Sequence, residues 1–335
     1  EHIKRWARKV GMEEYTKLMI ELWEETLRAG VDPFDIETVY FTYSGDEYCD
    51  ELYENVNFYT YGLMDLSRAE VIAAIYRPGE TVPDTQRNMI YTYFQMLGRR
   101  EVSFEDMKSH FSKYAAYGPS DKVKRRFRQE GVPVLERWRQ EVADAIYRRL
   151  EGFLHRADKV IEKRHPHGDP IRFDRIEAGK INVVQLFMLD EAEKRVVVNA
   201  LLRELLRGLQ KPDKHINRVM VFVDELNVYA PKAESPIKEQ IIDIVARGRD
   251  LYLSLFGAQQ FASQIDPQVY GNCSTKVVGN TDFAEIGSRI YAFLGGFRDT
   301  APYLEKGEML VYHPLYASPV SVLFPVPLYK VMMEG

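Results

Sequence analysis

The chain has 335 residues, 45% of them hydrophobic, which is enough for one large core or two modest ones. A formal charge of −5 and a pI of 5.9 exclude a protein that gathers nucleic acid by bulk charge, so any DNA contact has to be local. No apolar run reaches the roughly eighteen residues of a membrane span, and the opening EHIKRWARKV is charged rather than signal-like, so a soluble, cytoplasmic protein without a membrane partner is expected.

In chain order, apolar residues at helical spacing predict a helix over 12–30, stopped by Gly30 and Asp32-Pro33. The β-branched and aromatic stretch Thr38 to Tyr43 predicts a strand. Ser67 and Glu70 form a capping-box pattern that opens a helix, and helical patterns then continue to about Arg164. The breaker-rich stretch His165 to Pro170 marks a boundary between a mostly helical block over 1–165 and an α/β part over 166–335. In that second part, strands are expected at Ile181–Phe187, Val219–Val223, Leu251–Phe256 and Thr275–Val278. Helices are expected at Asp190–Leu209, Pro236–Arg247 and near Phe283–Phe293, and two more strands close the tail. This alternation predicts a mainly parallel sheet flanked by helices.

Several features favour plain structural readings. Cys49 and Cys273 lie far apart without a C-x-x-C pattern, so they are expected to be buried small hydrophobes in a reducing compartment rather than zinc ligands. His165 and His167 flank a proline and lack a third ligand, which argues against a metal site. The basic run Lys122 to Arg128 reads as a solvated face, with DNA-backbone contact as the alternative. The aromatic stretch Tyr40 to Tyr61 reads as core packing.

The segment Val219-Met220-Val221-Phe222-Val223-Asp224-Glu225 carries the chemistry. An apolar strand delivers two adjacent carboxylates to its C-terminal end, where open α/β sheets place their ligands. That is the form of a Walker B motif: Asp224 would organise a Mg²⁺ ion and Glu225 would orient or deprotonate an attacking water. A helix follows, then Ala246-Arg247-Gly248-Arg249-Asp250, a strand, and Gly257-Ala258-Gln259-Gln260. Gln260, at a strand end, is able to donate to a phosphate oxygen and accept from water.

This succession resembles the HerA branch of the HerA/FtsK superfamily of DNA translocases. The stretches INVVQLFMLDEAEKRVVVNALLRELL and Asp266 to Val278 share the resemblance, which covers about residues 180–325. It implies a RecA-like, P-loop-type ATPase core carrying a large helical insertion, using ATP and Mg²⁺. Asp224, Glu225 and the γ-phosphate sensor Gln260 would be catalytic. Arg249, with Arg247 as the second choice, would reach the γ-phosphate of a neighbouring subunit as an arginine finger. The resemblance further implies a homo-oligomer, a hexameric ring around double-stranded DNA, acting in DNA-end processing beside a NurA-type nuclease or another effector. The phosphate-gripping loop G-x-x-x-x-G-K-[ST] does not occur: Gly179-Lys180 is followed by Ile181. In the family that loop, preceded by a small β-barrel, comes before the region seen here. The start at Glu1 fits an upstream segment of that kind. A non-catalytic scaffold that has lost the loop, and a conjugation- or packaging-type translocase, are the alternatives.

Overall fold

The computed structural model describes residues 38–43, 56–162, 168–233 and 236–323 apart from 78, 99 and 306, together with Lys17 and Glu21. The expected helix over 12–30 is thus described only at Lys17 and Glu21, which are helical, and Cys49, His165 and His167 lie outside the described residues. The chain divides into two compact units, one formed by Thr38–Gln259 with Ile265–Val269, the other by Gln260–Gln264 and the residues from Tyr270 onward.

In the first unit, strand β1 (Thr38–Tyr43) lies between β2 (Val56–Tyr59) and β3 (Ile181–Val184), all parallel. Five helices fall between β2 and β3 in the sequence: α1 (Arg68–Ile75), α2 (Asp84–Leu97), α3 (Phe104–Ala116), α4 (Asp121–Gln129) and α5 (Gln140–Arg156). The strand pairing therefore joins residues from both sides of position 165. The helices share an aromatic core. Phe104, Phe111, Tyr114, Phe127 and Phe153 are fully buried, each side chain contributing about 1.5–3 kcal/mol of transfer free energy. Trp138 stacks on Phe127 and donates its indole N–H to the carbonyls of Tyr114 and Tyr117 at 3.0 and 2.9 Å. Helix α4 hangs on Phe127 alone and leaves Lys122, Arg125, Arg126 and Arg128 exposed, as the basic run predicts.

The capping box at α1 forms as expected: the Glu70 amide donates to Ser67 Oγ at 3.3 Å, and the Ser67 amide to Glu70 Oε2 at 2.6 Å. The Glu70 carboxylate is also buried, and it pairs with Arg203 of helix α6 (Glu191–Leu209). Burial pushes the Arg203 guanidinium below its ordinary range. Removing one member of such a pair costs about 3–5 kcal/mol, so the contact fixes α1 on α6. At the start of α6, Glu193 closes its own capping box and accepts the amides of Lys159 and Val160, both at 2.8 Å.

A second parallel pair, β4 (Val219–Val223) and β5 (Leu253–Gly257), follows, with α7 (Leu226–Tyr229) and α8 (Pro236–Arg247) between them in the sequence. The other unit carries α10 (Phe283–Ile286) and an antiparallel sheet of β6 (Lys276–Val278), β7 (Glu308–Tyr312) and β8 (Val320–Leu323) around Val278, Tyr291, Leu294 and Leu310.

Several expectations shift. The stretch Ile181–Phe187 is a strand only to Val184, and Ile181 is half-exposed, because β3 is an edge strand rather than a buried one. Strand β5 begins at Leu253, since Tyr252 adopts a left-handed conformation (φ 57°) after a 3-10 turn. The helix expected near 283–293 stops at Ile286 and gives way to a 3-10 stretch broken at Gly295 (φ 53°). Cys273 is only partly buried, and that burial raises its thiol pKa. The α/β class with parallel strands stands, although the strands form small separate sheets.

Candidate active site

The alternation of β4 turns Val223 inward and ends the strand at Asp224, which is exposed, and Glu225, which is half-buried. Glu225 sits at φ 51°, ψ 49°, a left-handed conformation uncommon for a residue with a side chain. Residues held in this region cluster at functional sites, where surrounding structure over-determines them. The restraints are visible here. The Glu225 amide donates to Asp224 Oδ1 at 3.0 Å. The Ala258 amide donates to the Val223 carbonyl, and the Leu226 amide to the Ala258 carbonyl, both at 3.0 Å. Leu226 is pressed so close to Gly257 that a Cβ there would lie 2.3 Å from its Cδ2. The β4–β5 ladder thus continues past the strands and clamps the two carboxylates.

The next side chain along that ladder, Gln259, is part-buried and its amide oxygen has no hydrogen-bond partner among the described residues. Sequence reasoning passed over Gln259 in favour of Gln260; its signal was simply the paired glutamines. Gln260 is exposed and opens the other compact unit.

The arginines lie elsewhere. Arg247 ends α8 and pairs with Asp243 one turn earlier, with 71% of its side chain exposed. Arg249 is exposed in the turn Gly248–Leu251 and is ion-paired with none of the described residues. The turn is tight: the Tyr252 amide donates to the Arg249 carbonyl at 3.1 Å, and the Val219 amide to the Tyr252 carbonyl at 3.0 Å. A Cβ on Gly248 would lie 2.5 Å from the Leu253 carbonyl oxygen. That neighbour is backbone and unable to move aside, so Gly248→Ala is expected to cost about 1–3 kcal/mol in chemical denaturation. An unchanged midpoint would show that the turn is not built around this approach.

The turn precedes β5, whereas the carboxylates follow β4, and the strands are parallel from Val219↔Leu253 to Val223↔Gly257. At ~3.3 Å per residue the strand length puts roughly 16 Å between the two sets of groups. Asp224 and Glu225 are together; Arg247 and Arg249 are at the opposite end of the same strands.

Mg²⁺ in nucleotide sites is held by one or two carboxylates plus phosphate oxygens and waters. Asp224 fits that role, since its carboxylate is exposed at a strand end and, among the described residues, commits only Oδ1, to its neighbour's amide. Among the described residues no group of three or more His, Cys, Asp or Glu could hold a metal ion by itself. The phosphate grip is a different matter, because its loop does not occur in these 335 residues.

No protein-family model matches the chain. Over 146 residues, 42% of the chain, it is 27% identical to the DNA double-strand break repair helicase HerA of Sulfurisphaera tokodaii. The chain is a distant homologue of HerA. It spans 29% of the length of that relative. Among solved structures, the plasmid coupling protein TrwB in complex with ADP and Mg²⁺ matches with a TM-score of 0.55 at 12% identity, covering 88% of this chain and 76% of TrwB. TrwB in complex with the non-hydrolysable GTP analogue GDPNP gives a TM-score of 0.55, also at 12% identity, over 89% of this chain and 76% of TrwB. These two structures show that the fold is shared with TrwB. Among the described residues, no helix is long and apolar enough to cross a membrane.

Proposed function

We propose that this chain is the carboxylate, sensor and arginine portion of a HerA-type ATPase that moves double-stranded DNA as a hexameric ring, in DNA-end processing beside a nuclease or effector partner. The observation that carries the proposal is the opposite-end placement of Asp224-Glu225 and Arg249 on one parallel strand pair. An arginine roughly 16 Å from its own carboxylates is too far to serve them, but it suits a nucleotide site shared with a neighbouring subunit. Bound Mg²⁺–ATP supplies the transferable phosphoryl group and the cation that neutralises it. Asp224 would hold the ion through water, and Glu225 would orient or deprotonate the attacking water. Gln260 reads γ-phosphate occupancy, while Arg249, assisted by Arg247, reaches the neighbour's γ-phosphate.

The relative's name, with its DNA double-strand break repair activity, supports the DNA reading. The test is phosphate release by the complete protein with and without linear duplex DNA. Turnover that rises on DNA addition is expected, and no turnover in either condition would end the ATPase reading. A non-catalytic scaffold is the reading that this second result would support.

A further inference from the structure

Helix α8 joins the two ends of the candidate site. Its C-terminus carries Arg247 and runs into the Arg249 turn, whereas near its N-terminus Lys238 is buried at 3% exposure. The Lys238 ammonium lies 3.3 Å from Asp266 Oδ2 and donates to the Lys232 carbonyl at 3.5 Å. Asp266 is itself 7% exposed, and its Oδ1 accepts the Gln268 amide at 2.8 Å at the start of the short helix α9 (Pro267–Asn272). The same segment is stitched to the stretch that follows Glu225. The Asp266 amide donates to the Ala230 carbonyl at 2.9 Å, and Ile265 bridges Pro231. Lys238 therefore sits where the post-carboxylate segment 230–232, the 265–266 segment and α8 converge.

A buried ion pair is a poor way to gain stability, because desolvation offsets most of the attraction and an apolar pair of equal volume does as well or better. Its best-attested use is to fix one arrangement of the elements it joins. From Lys238 to Arg247, α8 is a rod of roughly 14 Å at 1.5 Å per residue. Movement of the 265–266 segment is thereby tied to the arginine end, with no flexible linker between.

We infer that Lys238 and Asp266 are positioning residues that relay the state of a subunit's own nucleotide site, through α8, to the arginines presented to its neighbour. The inference rests on the ring-ATPase reading above. It predicts cooperative ATP use that depends on the ion pair and not on the catalytic groups.

The test compares the ATP dependence of steady-state turnover in the complete wild-type protein and in Lys238→Met/Asp266→Asn. The double variant removes both charges together and keeps the amide-accepting oxygen for Gln268. Wild type is expected to give a sigmoidal curve. The double variant is expected to give a hyperbolic one, with its Hill coefficient falling to about 1 and its basal kcat staying within a few-fold of wild type. Lys238→Gln/Asp266→Asn, which also removes both charges but keeps a donor for the Lys232 carbonyl and an acceptor for the Gln268 amide, makes the same cut should the first double variant fail to fold. A hyperbolic wild-type curve, or a variant as sigmoidal as wild type, overturns the relay alone. Absence of turnover in wild type overturns the ATPase reading beneath it. A merely structural pair would lower the melting temperature and kcat while leaving the Hill coefficient where it was.

Discussion

In the complete protein, Glu225→Gln is expected to lower steady-state ATP turnover by about 10²–10⁴-fold, the range for loss of a general base, while ATP still binds. The substitution is close to isosteric, and the Glu225 side chain makes no hydrogen bond among the described residues, so the fold has nothing to lose. Its left-handed backbone is held by its own amide donating to the Asp224 carboxylate and, on either side, by the Ala258 amide donating to the Val223 carbonyl and the Leu226 amide to the Ala258 carbonyl, none of which involves the Glu225 carboxylate. Turnover and thermal midpoint should therefore separate: the first collapses and the second stays. Filter-bound or fluorescent ATP retained by the variant would place the loss in the chemical step rather than in binding. If turnover were undiminished, Glu225 would be no more than the cap of α7, and the carboxylate doing the work would have to be sought elsewhere.

Much of this site was legible because strand periodicity and strand ends are local properties. Val219 to Val223 reads as a strand from its apolar, β-branched residues, and Asp224 and Glu225 fall at its end whatever covers its sides. The turn at Arg249 was legible for a related reason: Gly248 tolerates the close approach of the Leu253 carbonyl, which any Cβ would block. What periodicity did not give was burial. An apolar run such as VMVFV implies a parallel strand covered on both faces, yet Phe222 and Phe256 stack at 4.7 Å with 73% and 45% of their surface exposed. Pairing partners were equally hidden, because the join of β1 with β3 spans some 140 positions and depends on long-range packing that no local pattern encodes. The Lys238–Asp266 pair belongs to the same class. Neither residue stands out in sequence, and only burial against a shared segment makes either of them notable.

Arg249→Ala should reduce turnover by about 10³–10⁵-fold if it acts as a finger on the neighbour's γ-phosphate, and Arg249→Lys should not restore it, because an ammonium lacks the planar fork of a guanidinium. Arg247→Ala should do far less, since Arg247 is already engaged by Asp243 on an exposed helix face. The decisive comparison is a mixture. A Glu225→Gln subunit keeps its arginine, and an Arg249→Ala subunit keeps its base, so rings assembled from both contain interfaces where a sound Glu225 meets a sound Arg249. Activity in the mixture above that of either variant alone is the expected result, and it follows from the strand geometry: residues at opposite ends of β4 and β5 complete a site only across a subunit boundary. A mixture no better than its components would mean that Arg249 serves its own chain, and the roughly 16 Å of strand between it and Asp224 would then have to be closed by a rearrangement of the turn at Gly248.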